Sequence, residues 1–163
     1  MIVEYETRIE RIASIEMLEQ CAEVLMDAYN CAPWNDSWTK ETAIRLLTCY
    51  YDTPNFVGWV AKSGTKTIGS GIGNIEPYYS GDIFYLKEMF ISVKSQKAGV
   101  GRRLIAALKE DLQRMGIKTI MLFTSKDIGD FYLKSGFKEM EGRITMIYSN
   151  QDSPGQFPMM AIP

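Results

Sequence analysis

Histidine is absent from all 163 residues of the sequence. That removes His-ligated metal sites and any nucleophile activated by a Ser–His or Cys–His contact, and no metal is expected. Cysteine is scarce: Cys21, Cys31 and Cys49 are odd in number and lack metal-ligand spacing. They read as reduced thiols of a cytoplasmic protein. No apolar run is long enough to span a bilayer, and an N-terminus carrying Glu4, Glu6 and Arg8 does not look like a signal peptide. No membrane partner is expected. Neither sign of charge dominates, with 18 Lys and Arg against 20 Asp and Glu and a net charge of −2. No strongly basic face is forced, so nucleic acid is not a favoured partner.

Hydrophobic residues make up 46% and charged residues 23% of the chain, a balance that suits one globular domain with a substantial core. Residues 1–149 read as a single domain without repeats or an internal boundary. Residues 150–163, with Pro154, Gly155 and Pro158, read as an extended or poorly ordered tail.

Residues 3–12 alternate loosely and predict a first strand. Ser14 is placed to cap a helix whose face is formed by Ile15, Leu18, Cys21, Ala22, Leu25, Met26 and Tyr29. A loop over 33–38 follows, then Thr39 as N-cap of a helix carrying Ala43, Ile44, Leu47 and Tyr50. Strands over 56–61 and 67–73 form a hairpin about Lys62-Ser63-Gly64-Thr65. Gly69, Gly71 and Gly73 strip side chains from one face of its second strand. Such a strand either admits a second backbone or a ligand, or is a bulged, weakly packed edge. A long strand over 83–93 leads to a helix presenting Leu104, Ala107, Leu108, Leu112 and Met115, and a strand over 119–124 completes a right-handed parallel crossover. A short helix over 127–135 and a hairpin turning at Glu141-Gly142 end the order.

Between the long strand and its crossover helix lies Gln96-Lys97-Ala98-Gly99-Val100-Gly101. A strand, a glycine turn and a helix N-terminus together favour an anion, because the first helical N–H groups lack partners inside the helix. Glycine also lets the backbone come close to a ligand. Phosphate binding and a turn that merely starts a helix both fit this segment taken alone.

The segment matches the (Arg/Gln)-x-x-Gly-x-(Gly/Ala) signature of the GNAT superfamily of acetyl-CoA-dependent N-acetyltransferases. Phe131-Tyr132-Leu133-Lys134-Ser135-Gly136-Phe137 is similar to that family's Phe-Tyr-x-x-x-Gly-Phe segment, and the element order resembles it over residues 3–149. The resemblance implies an α/β fold: a mixed, mostly antiparallel sheet of six to seven strands, flanked by about four helices, with a central splayed parallel pair. It implies acetyl-CoA as donor and coenzyme A as product. The pantetheine arm would pair with the backbone of Ile91, Ser92 and Val93 like an added strand. The pyrophosphate would lie on Gln96, Lys97, Ala98, Gly99, Val100, Gly101 and Arg102, with Arg103 a solvated helix start. Ser125 stands seven residues before Tyr132, where many relatives carry an Asn that contacts the pantetheine arm; Ser keeps hydrogen-bonding capacity with a less secure contact.

The implied reaction is acyl transfer to an amine. An alkylammonium has a pKa near ~10.4, so an enzyme must bind the amine, take a proton and stabilise developing charge. Glu88 lies in an otherwise apolar strand, near the acetyl position the resemblance implies. A carboxylate with its ordinary pKa near ~4.3 is a poor base for that proton unless burial raises the value or water relays the proton. Glu88 also reads as an anchor for a cationic acceptor, or as a strand carboxylate paired with Lys87 or Arg143. Tyr132 occupies the family's general-acid position; its phenol, with pKa near ~10, can donate to a departing thiolate.

Trp34, Asn35 and Trp38 sit in the loop between the first two helices, which in the family form one wall of the acceptor groove. The tryptophans can stack on a ring or cation, or anchor the loop on the core. The expected partner is a small-molecule primary amine, aminoglycoside-like or polyamine-like, attacked directly in a ternary complex because no cysteine falls near the motif. A protein lysine or N-terminal amine, and a non-catalytic acyl-CoA sensor, are the alternatives. A homodimer through the last strands or the glycine strand is compatible with the sequence, which does not demand it.

Overall fold

In a computed structural model, which describes residues 6–146, 148 and 150, Ser14 starts the first helix as its side chain predicts. Its hydroxyl accepts the Met17 amide, and α1 runs Ile15–Tyr29 after the strand β1, Thr7–Arg11. Thr39 and Thr42 close a reciprocal capping box on α2, Lys40–Tyr51. The strands β2 (Phe56–Ser63), β3 (Lys66–Glu76) and β4 (Ile83–Ile91) then form an antiparallel meander. A 3-10 turn over Val93–Ser95 leads to α3 (Val100–Arg114), β5 (Thr119–Met121) and α4 (Lys126–Lys134).

The sheet order is β1-β2-β3-β4-β5, antiparallel except for the parallel β4–β5 pair. The described residues form five strands, mostly antiparallel and flanked by four helices, with the parallel pair made by the last two strands in the order. The expected last hairpin turns at Glu141-Gly142, but residues 143–146 form no strand. The tail over 151–163, residues 3–5 of the first strand, and residues 147 and 149 lie outside the described residues. No helix among the described residues is long and apolar enough to cross a membrane.

Each face of the sheet carries its own core. Leu18, Leu25 and Leu47 of α1 and α2 pack with Val60, Ile72 and Phe90 on one side. Leu104 and Leu108 of α3 pack with Trp59, Phe84 and Met89 on the other. Asp111 ties that second layer down by accepting from Trp59 Nε1 at 2.9 Å and from Arg11 Nε.

The glycine strand is buried and central, not a weak edge. A Cβ on Gly71 would lie 3.5 Å from Leu108, and one on Gly73 would lie 2.0 Å from the Tyr85 carbonyl oxygen. Gly73, and Gly69 with its Cβ position 3.1 Å from the Phe90 carbonyl oxygen, admit the β4 backbone, whereas Gly71 leaves ordinary contact distance to α3; the close approach comes from the protein itself.

Two departures in β4 shape the site. Its pairing with β5 ends at Tyr85↔Met121, while β4 continues to Ile91, giving the expected splay. Its register with β3 also slips: Gly73 faces Leu86 and Ile72 faces Glu88, leaving Lys87 without a partner on β3. This β-bulge changes the parity of the strand. Phe84 and Leu86 face α3 before it, and Met89 and Ile91 face α3 after it. Glu88 is thereby aimed at α1 and α2.

Candidate active site

Glu88 is 5% exposed, and both carboxylate oxygens have phenolic donors. Tyr29 Oη, from the last residue of α1, donates to Oε2 at 2.9 Å; Tyr50 Oη, from the last turn of α2, donates to Oε1 at 3.3 Å. The partners are therefore tyrosines rather than Lys87. Lys87 turns to Glu76 at 3.5 Å and lies 3.3 Å from the centre of the Tyr85 ring. Burial pushes the Glu88 carboxyl up to about 8. The two phenol hydrogen bonds oppose that rise, and the nearby negative charge of Asp36 adds to it.

Tyr132, on α4, is 2% exposed, and its ring meets Phe131 and Phe137 edge-on. Among the described residues its hydroxyl is buried without a hydrogen-bond partner, as is the hydroxyl of Ser125 at the start of the same helix. Burial, and then the charge of Glu88, hold the Tyr132 phenol well above its ordinary pKa. Burial first, then the Glu88 charge, does the same to Tyr29 and Tyr50.

The glycine turn borders a cavity of about 460 Å³ reached by Ile91, Gln96, Lys97, Gly99, Gly101 and Arg102. Gly99 is the N-cap of α3 at φ 80°, no side chain caps the helix, and among the described residues nothing beyond its own chain neighbours lies within 4 Å of where a Gly99 Cβ would be. A Cβ on Gly101 would stand 3.3 Å from the Phe131 ring. The turn is thus bare on the cavity side and tight behind. Ser92, Ala98 and Val100 line a second recess on the other side of the turn, and Val93 borders neither cavity. Gln96 Nε2 donates to the Ile91 carbonyl at 3.1 Å, and the Val93 amide donates to Asp27 Oδ2 at 2.8 Å. The two backbone groups expected to pair with a ligand are held by this chain's own side chains. Arg103 donates to Thr7 Oγ1 at 3.0 Å, which ties the helix start to β1.

The three loop residues separate. Trp34 lines the same cavity as the glycine turn and meets Tyr29 edge-on, with centroids 6.5 Å apart. Trp38 is turned to its own loop: Nε1 donates to Asp36 at 3.0 Å, and its backbone exchanges two hydrogen bonds with the Asn30 amide. Asn35 is exposed at φ 51°; its side-chain amide donates to Pro33 O at 3.4 Å and its backbone N–H to Cys31 O at 3.0 Å.

Tyr29 and Tyr50 were legible only as helix-face residues. A signal for more was present. Each places a phenol at the end of a buried stripe, where its hydroxyl needs a partner, and Glu88 is a carboxylate in an apolar strand with the matching need.

A splayed strand, a bare glycine turn at a helix start and a buried acid–phenol cluster define an acyltransferase of the coenzyme A-dependent kind. Residues 54–139 match the acetyltransferase (GNAT) domain, and the chain belongs to this family of acetyl-CoA-dependent N-acetyltransferases. Among solved structures it is similar to the aminoglycoside N-acetyltransferase AAC(6')-Iy in complex with CoA: 17% identical, covering 93% of this chain and 99% of that one, with a TM-score of 0.69. An aminoglycoside acetyltransferase from an uncultured soil metagenomic sample, in complex with sisomicin, is 18% identical over 89% of this chain and 97% of its own, with a TM-score of 0.69. Glucosamine-6-phosphate N-acetyltransferase from Arabidopsis thaliana is 17% identical over 88% and 99%, with a TM-score of 0.66. At these identities the likeness is one of fold. No curated protein matches the sequence.

Proposed function

We propose that the protein acetylates a primary amine of a small molecule, with Glu88 on the acceptor side and Tyr132 on the leaving-group side. The observation that carries this reading is the buried Glu88 carboxyl, held by two phenols and near the unpartnered Tyr132 hydroxyl. The residues fit a coenzyme A donor: two buried hydroxyls, Ser125 and Tyr132, lack partners among the described residues, and the Gly99 turn is open where a side chain would stand. Backbone amides from Lys97 to Arg102 and the α3 N-terminus would hold the pyrophosphate, with Lys97 and Arg102 adding charge. Of the three positions expected to receive the pantetheine arm, Ile91 borders the cavity, and the arm would take its carbonyl from the Gln96 side chain; Ser125 would hydrogen-bond the arm. Bound acetyl-CoA supplies the activated acetyl group.

Glu88 Oε1 takes the proton of the acceptor. With its carboxyl raised to about 8, the proton moves from an ammonium near ~10.4 to a base only about two units weaker, against about six for an ordinary carboxylate. Tyr132 Oη holds the proton destined for the sulfur. Trp34 lines the glycine-turn cavity and would give a cationic acceptor an aromatic surface.

An amine panel of aminoglycosides, polyamines and peptide amines, read by coenzyme A release, tests the reading. Release with a small-molecule amine that Glu88→Gln abolishes supports it. Release with peptide amines alone points to a protein acceptor, and none above hydrolysis points to an acyl-CoA sensor.

A further inference from the structure

We propose that the two tyrosines on Glu88 have different tasks: Tyr29 holds Oε2 permanently as a positioning residue, whereas Tyr50 occupies Oε1 as a placeholder that the acceptor amine displaces. This rests on the reading of Glu88 as the acceptor-side group.

The two contacts are unequal in every respect. Tyr29 is 1% exposed, its bond is 2.9 Å, and its ring is braced edge-on by Trp34 and Phe90. Its hydroxyl also lies 3.4 Å from the Met89 carbonyl oxygen. Moving it would disturb the core. Tyr50 is half-buried and its bond is 3.3 Å. The groups facing Glu88 are Tyr29 from α1, Tyr50 from α2, Tyr132 from α4 and Asp36 from the loop before α2. Tyr29 and Tyr132 are buried and Tyr50 is half-buried, so of the three phenols Tyr50 is the one nearest solvent and the one an arriving amine would meet first. An ammonium arriving there replaces a neutral donor by a charged one, which makes the stronger hydrogen bond, and Asp36 adds attraction for the cation. While no amine is present, Tyr50 keeps Oε1 from being a buried acceptor without a donor.

The division predicts opposite signatures. In protein labelled with carboxyl-13C glutamate, with Glu88 assigned by Glu88→Gln, Tyr29→Phe raises the Glu88 titration midpoint more than Tyr50→Phe does, because it removes the shorter bond. With the panel amine turned over fastest, Tyr29→Phe lowers kcat about tenfold or more at unchanged KM. Tyr50→Phe lowers kcat less than Tyr29→Phe does and lowers KM, because nothing then competes for Oε1. If Tyr29→Phe does not fold, 3-fluorotyrosine at positions 29 and 50 replaces it: the better donor lowers the Glu88 midpoint more at 29 than at 50. Equal shifts from both positions, or a KM raised about tenfold by Tyr50→Phe, overturn the division. Full turnover by Glu88→Gln overturns the reading beneath it as well; loss of turnover there with equal tyrosine effects sinks the division alone.

Discussion

Tyr29 Oη and Glu88 Oε2 lie 2.9 Å apart in the interior, joining the last residue of α1 to β4 just beyond its bulge. The contact fixes a carboxyl that burial would otherwise leave poorly satisfied. It also sets the balance on which proton transfer depends, since the hydrogen bond favours the charged form while burial favours the neutral one.

The rate follows that balance. If Glu88 works as a base, its carboxylate is the active form, so kcat/KM rises with pH through a limb near about 8 in the free enzyme. Glu88→Gln removes the limb and lowers kcat/KM by about 10²- to 10⁴-fold. A profile flat between pH 6 and 9 would exclude Glu88 as the base.

Stability moves the other way. The carboxyl binds its proton more tightly folded than unfolded, because its folded value of about 8 lies above 4.5. The resulting stabilisation is complete below the unfolded value and is lost as pH rises through the folded one. Chemical unfolding from pH 5 to 9 should therefore show a decline of roughly a few kcal/mol that Glu88→Gln removes.

Tyr132→Phe separates chemistry from packing. The hydroxyl has no partner among the described residues, so removing it sheds a desolvated polar group and leaves Tm unchanged or higher. Turnover should still fall about 10²-fold or more while coenzyme A affinity changes little, if that hydroxyl protonates the leaving sulfur. Unchanged turnover would remove Tyr132 from the chemistry.

The glycine turn gives a two-part expectation. Gly99→Ala meets no crowding but must hold φ 80°, so it costs roughly 1–2 kcal/mol of stability, and Gly99→Asn costs less because Asn tolerates that conformation. Gly101→Glu meets the Phe131 ring and brings negative charge to the helix start, and coenzyme A binding measured calorimetrically should be lost. Retained affinity would move the pyrophosphate site elsewhere.

Helix starts and the order of elements were legible because their signals are local: Ser14, Thr39 and the glycine turn each act within a few residues of themselves. The same holds for the isolated carboxylate in an apolar strand. Partners were harder to read, because a partner is chosen by tertiary geometry. Glu88 chose Tyr29 and Tyr50 from two different helices, and Val93 gave its amide to Asp27 on α1. Gly69, Gly71 and Gly73 could be read as marking close approach, but not whether the β4 backbone or a ligand approaches. Trp34 and Trp38 look alike in sequence, yet they diverge because one faces the cavity while the other is tied to Asn30 and Asp36.

Lys87 has no partner on β3, so it is the one residue of β4 that the ladder does not need. Deleting it would join Leu86 to Glu88, restore strict alternation and leave the carboxylate facing α1 and α2. What the extra residue adds is a side chain turned out to Glu76 and the Tyr85 ring. A chain of this family without it should keep the acid where it is and lose only that outer contact.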